Sequence, residues 1–246
     1  MYLSRVPRET MAAHTACCLL MATLVTVASA DKYYGYPGKP WDGHAYAAEK
    51  YQQYATLYQQ QVMGTGPPPH TEVVRMARYI VHNVDWAAMS TISSMPGSWS
   101  YPFNNIVSVS DGPVDSSSGI PYMYLTPQDM SVQDLMRDYR SSLVMSLAQS
   151  DYCKKQKYDA EDPRCAKVIL TGKIKRVKDP VELAFAQNAL FSRHPVMKTW
   201  PPDHHFYVAK MKIEQIVVLD YFGGPKFVDV KTYLHTPPAA GPLPGM

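Results

Sequence analysis

Apolar side chains recur along this chain in two rhythms, one helical and one that of strands. Val73, Val74, Ala77, Ile80, Val81 and Val84 fall at the spacing of one buried helical face, with Thr71 standing where a cap belongs. A helix is therefore predicted to open the folded part of the chain. Beyond it the runs shorten: "WAAMSTIS", "NNIVSVS", "PYMYLT", "LVMSLAQ", "CAKVILTGKIKRV", "HHFYVAKMKIEQ" and "IVVLDYF" are rich in β-branched and aromatic residues and separated by turn signals. Along Lys167 to Val177 the alternation slips at Gly172, which predicts a bulge or tight bend of the kind barrels need. A second helix is clearly punctuated. Asp179 can cap it, Pro180 suits its first position and Glu182 completes a capping box. Leu183, Ala186, Leu190 and Phe191 form its stripe, and Pro195 forces an end near His194. Roughly six or seven strands with few helices and no βαβ rhythm predict a mainly β fold, an antiparallel barrel.

Outside this region the pattern fades. Residues 31–69, rich in Tyr, Gln, Gly and Pro, bury too little to fold alone, although Ala47, Tyr51, Tyr54 and Tyr58 share one helical face. A flexible arm is expected, with a partner-binding tyrosine helix as the alternative. Residues 236–246 are too rich in Pro and Gly for more than a loose end. At the other terminus Arg5 and Arg8 precede "AAHTACCLLMATLVTVASA", an uncharged apolar run that ends in Ala28-Ser29-Ala30. This predicts a secretory signal peptide over residues 1–30, cut before Asp31. The apolar part is shorter than the ~20 residues a membrane-spanning helix needs, so no stable membrane anchor is expected. What remains, residues 70–235, is of ordinary single-domain size.

Composition changes this picture little: 46% hydrophobic and 18% charged residues can fill a globular core. Cleavage takes Arg5, Arg8 and Glu9 from 24 Lys+Arg and 21 Asp+Glu, leaving 22 against 20 and a net charge of +2. So small a charge gives no steering toward nucleic acid. Cysteine usage says more, because cleavage also removes Cys17 and Cys18 and leaves Cys153 and Cys165. In an oxidising compartment two cysteines predict one disulfide. Zinc would need further ligands near by, yet His194, His204 and His205 are far off in sequence, and the spacing is not that of a Cys-x-x-Cys redox centre. A stapled surface hairpin is expected, with the bridge worth about 3 kcal/mol by loop closure.

Candidate chemistry is sparse. There is no G-x-S-x-G, G-x-G-x-x-G or Walker loop. In "PPDHHFY", Asp203 and His205 could share a strand face and hold a metal or a proton, but adjacent His204 and His205 point apart, which favours a plain loop-to-strand junction. In "FSRHPVMKTWP", Arg193, His194 and Lys198 suit an anion clamp; the competing reading is a helix end whose cations offset its dipole. "SVSDGPVDSSSGIPYMYLT" reads as a hairpin turning at Asp111-Gly112, whose Ser108, Ser110 and Thr126 hydroxyls are candidates for a flavin phosphate.

The segments "RMARYIVHNVDWAAMSTIS", "VSVSDGP", "GIPYMYLTP", "MSLAQSDYCKK", "DPRCAKVILTGKI", "LFSRHPVMKTWP" and "VLDYFGGPK" come in the order, and close to the spelling, of the CREG family, secreted proteins named as cellular repressors of adenovirus-early-gene-stimulated transcription. The resemblance covers Glu72 to about Tyr233 and leaves out the arm and the tail. It implies a split β-barrel of the FMN-binding, pyridoxamine-phosphate-oxidase-like type and a homodimer whose flavin pocket has been lost or blocked. It also implies a secreted or endolysosomal location, a role in growth control and differentiation, and a disulfide that fits Cys153 and Cys165. Flavin-using relatives carry an Arg on the strand before the Asp-Gly turn; here that strand, Asn104 to Ser110, has no cation, so no FMN is expected. CREG-type proteins are also N-glycosylated, yet Asn83, Asn104, Asn105 and Asn188 are not followed by x-Ser or x-Thr, so no standard N-glycan is expected to carry this chain to a receptor. Two functions follow: a non-catalytic interaction protein whose receptor is unknown, and, as the alternative, an FMN-dependent oxidoreductase using Ser108, Ser110, Thr126, Arg193 and Lys198. Direct DNA binding is opposed by the signal peptide and the near-neutral charge.

Overall fold

A computed structural model of the chain describes residues 66–238. The expected signal peptide, residues 31–65 of the arm and residues 239–246 of the tail lie outside the described residues. The helices are α1 (Val73–Asn83), α2 (Met130–Arg137), the single turn α3 (Tyr152–Lys155), α4 (Pro180–Arg193) and α5 (Val230–His235). The strands are β1 (Trp86–Ile92), β2 (Pro102–Ser108), β3 (Tyr122–Leu125), β4 (Arg140–Ser146), β5 (Lys167–Arg176), β6 (Tyr207–Leu219) and β7 (Lys226–Val228).

All these strands form one antiparallel sheet in the order β2-β1-β4-β5-β6-β3, with β7 beside β6. An isolated bridge, in which Ser110 and Tyr122 exchange hydrogen bonds of 2.8 and 3.1 Å, links the end of β2 to β3 and curls the sheet into a barrel. Met89, Leu143, Met145, Val168, Leu170 and Met211 alternate inward and meet Tyr79 and Ile80 of α1 in the main core. Each fully buried side chain of this size contributes about 1.5–3 kcal/mol. A smaller cluster packs Ala186, Ala189 and Leu190 of α4 against Tyr122, Val208 and Met197.

The opening helix forms where its apolar period predicts, but Glu72, not Thr71, is its cap, and no side chain closes the first turn. The reason is local: Glu72 N bonds to the carbonyl of Pro69 at 2.8 Å, so Thr71 is spent inside a turn, while the Glu72 carboxylate pairs with Arg75. The slip at Gly172 is also real. Thr171 pairs with Gln215 and Gly172 with Ile213, so the extra residue is Glu214 on the facing strand. A Cβ on Gly172 would stand 2.1 Å from the Lys212 carbonyl oxygen, which is why the bulge sits opposite a glycine.

Three further expectations are corrected. "HHFYVAKMKIEQ" and "IVVLDYF" are not two strands; β6 runs through both, pairing β3 over its first residues and β7 over its last, with the bulge at the changeover. Asp111-Gly112 does not turn a hairpin, because β2 pairs with β1 and β3 with β6. Asp179 does cap α4 by accepting from Glu182 N at 2.8 Å, but the capping box is left half made: the Glu182 carboxylate lies 2.6 Å from Lys210 Nζ. Helices α2, α3 and α5 are additions, each too short to show a full apolar stripe. Finally, Cys153 and Cys165 are bonded with their Cα atoms 5.6 Å apart, stapling the connection between β4 and β5.

Candidate functional site

Polar groups gather where α1 meets the segment that follows β2. Asp111 is buried and its two oxygens are fully used. Oδ1 lies 2.7 Å from His82 Nδ1, while Oδ2 accepts from Gly119 N at 2.9 Å and from Ser117 Oγ. His82 Nε2 faces the Val114 carbonyl at 3.0 Å. With acceptors on both ring nitrogens, this imidazole is held as a double donor. Burial pulls its pKa down, but the hydrogen bond and charge of Asp111, helped by Val114, outweigh that and leave it raised above 6.5. Arg78 closes the other side: Nη2 donates to the Ser117 carbonyl at 3.0 Å and to Ser117 Oγ at 2.8 Å, and its guanidinium lies 5.2 Å from the Tyr233 ring. Tyr233 in turn donates to the Gly119 carbonyl at 2.9 Å.

This constellation has the membership of a catalytic triad but not its order. The carboxylate stands in the middle, with Ser117 and His82 each bonded to it. A hydroxyl is activated by a base that takes its proton. Here the hydroxyl proton points at the carboxylate, so the cluster works as a clamp that fixes residues 111–119 against α1 and α5.

Most of the nominated cofactor residues are likewise engaged within the fold. Ser110 Oγ donates to the Gly112 carbonyl at 3.0 Å and Thr126 Oγ1 to the His204 carbonyl at 2.5 Å. Arg193 donates to the His82 carbonyl at 2.8 Å and to Asp85 at 3.0 Å, and His194 Nε2 lies 3.0 Å from the Val109 carbonyl. Ser108 is paired across from Trp86 at the end of β2. Ser110, Thr126 and Arg193 thus spend these groups on contacts within the fold. Lys198 alone of the proposed clamp faces a cleft of about 640 Å³, with Arg176, His205 and the rings of Tyr124, Trp200 and Phe206; none of its lining residues is acidic. Asp203 is exposed on a short 3-10 turn and His205 adopts φ 54°, so neither belongs to a strand face. Among the described residues no three His, Cys, Asp or Glu side chains gather as a metal site.

One feature of the outer sheet face was missed in the sequence. Register places Ile106, Ala88, Val144, Ile169, Val217 and Phe227 side by side across six strands. Ile106 is 66% exposed and Phe227 70%. The row beside it, Asn104, Ser90, Ser142, Thr171 and Gln215, is wholly polar. The signal was present: "LVM", "VIL" and "IVVL" are apolar on both faces, as in strands covered on two sides.

An antiparallel sheet curled into a barrel, joined across one side by a single bridge and flanked by helices, defines a split β-barrel protein. A heme binding protein from Mycobacterium smegmatis shares that fold, with a TM-score of 0.53 and 16% identity over 68% of this chain and 62% of the other. The family model "CREG, beta-barrel" matches residues 68–235. Over 177 residues, 71% of this chain and 91% of the relative, it is 49% identical to Protein CREG1 of Gallus gallus. To Protein CREG1 of Homo sapiens it is 43% identical over 166 residues, 68% of this chain and 75% of the relative. The chain belongs to the CREG family.

Proposed function

We propose that this chain is a secreted or endolysosomal, non-catalytic interaction protein, a homodimer that offers its loops to a cell-surface or lysosomal receptor in the control of growth and differentiation. The apolar row on the outer sheet face carries the homodimer in this reading. A contiguous apolar strip of this kind is rare on a monomer and suits a self-complementary, two-fold contact. The clamp around Asp111 supports the absence of catalysis, since its serine and histidine are bonded to the carboxylate and not to each other.

Light scattering and visible absorbance on the purified full chain test both halves. We expect a colourless dimer that takes up no FMN, and a monomer with an unchanged circular dichroism spectrum for Val144→Asp, since that side chain sits mid-row and faces outward. A flavin-coloured protein, or a Val144→Asp dimer as tight as the wild type, would overturn the proposal.

A further inference from the structure

A second cleft, of about 350 Å³, lies between Gly66–Thr71, Tyr152, Tyr158, Arg164 and the end of β6 at Asp220 and Tyr221. Asp220 is 2% exposed and lines it, yet among the described residues its buried Oδ2 has no hydrogen-bond partner. A carboxylate buried without a donor is costly. The nearest cation is already engaged: Lys226 Nζ donates to the Asp220 carbonyl at 3.1 Å and to the His70 carbonyl at 3.4 Å. Burial raises the Asp220 pKa against the smaller opposing pull of Lys226 and His70, consistent with a carboxyl group short of a donor.

The other walls narrow the chemistry of the missing donor. His70 and Tyr221 stack at 4.2 Å, and Tyr152 and Tyr158 add further ring surface. Arg164 lies 4.2 Å from the Tyr158 ring, its Nε and Nη2 held by Asp162 at 3.0 and 2.6 Å, which leaves Nη1 for another acceptor. A metal ion lacks ligands here, since no three candidate side chains gather among the described residues. An organic cation would meet Arg164 on the wall and Lys226 behind it. A neutral ring bearing hydroxyls meets no such conflict: its hydroxyls donate to Asp220 and accept from Arg164, and its C–H face lies on tyrosine. The volume is at the small end of the ~300–1,000 Å³ typical of ligand pockets, which suits a single sugar ring.

We propose that this cleft binds the terminal hexose of a glycan, with the Asp220 carboxylate accepting from the sugar hydroxyls and the Tyr221–His70 stack forming its floor. The test is ligand-observed NMR on the full chain with a panel of methyl hexosides, and with choline as the cationic control. We expect at least one hexoside to bind and choline not to. Asp220→Asn should weaken the sugar by about tenfold or more, the worth of one hydrogen bond to a charged group. Its Tm should be no lower than the wild type's, since an unpartnered charge is removed. Tyr221→Ala, at a partly exposed ring, should weaken binding with the fold intact. Absence of binding by every hexoside, preference for choline, or an unchanged affinity in Asp220→Asn would overturn the proposal.

Discussion

Gly119 shows how much one position can hold. Its φ is +77°, and a Cβ there would fall 1.6 Å from Arg78 Nη1, the guanidinium that closes the Asp111 clamp. Gly119→Ala should therefore cost about 2–4 kcal/mol from backbone strain and overpacking together, read as a fall in the urea midpoint without a change in slope. At this scale the sequence was only partly legible. Asp179 and Pro180 announced the start of α4 through contacts within one turn. Glu182 and Arg193 misled because their partners, Lys210 and Asp85, are remote in sequence, and a charged side chain takes the partner that folding brings to it. Asp111 was read as a turn residue, and its burial depends on α1, which lies about thirty positions earlier.

Elements were more legible, because periodicity reports burial directly. The cysteine pair follows from the expected oxidising compartment, and its staple ties Cys153 within α3 to Cys165 just before β5. Replacing Cys153 and Cys165 together by serine should cost about 3 kcal/mol, measured by thermal or denaturant unfolding under non-reducing conditions. An unchanged midpoint would mean that β4 and β5, already paired over seven residue positions from Arg140 to Ser146, order the connection unaided. What periodicity could not give was continuity. Nothing local says that β6 passes its bulge without ending, since that depends on β3 and β7 sharing one of its edges. The short helices α2, α3 and α5 escaped for the same reason: their burial comes from the elements they pack against, β1 for α2 and α1 with β6 for α5.

For the whole molecule, two buried titrations carry the same sign. The raised value of His82 means that the folded state holds its proton more tightly. That contribution to stability is complete below about 6.5 and is lost as pH climbs through the raised value. Asp220 is raised above 3.8, chiefly by burial, so the penalty for ionising it is relieved as pH falls through its own raised value. Both signs agree: Tm should fall as pH rises above about 6.5, and His82→Gln should flatten that part of the curve. A flat or rising profile in the wild type would contradict the assignment of His82 as a double donor. The gain lies toward lower pH, the direction of the endolysosomal location proposed above. The bridge between Ser110 and Tyr122 adds a last consequence. A barrel whose wall is otherwise laddered strand to strand, but basted along one side by a single stitch, breathes there first. Solvent deuterons should therefore enter along the gap between β2 and β3 before the long ladder of β5 and β6 exchanges.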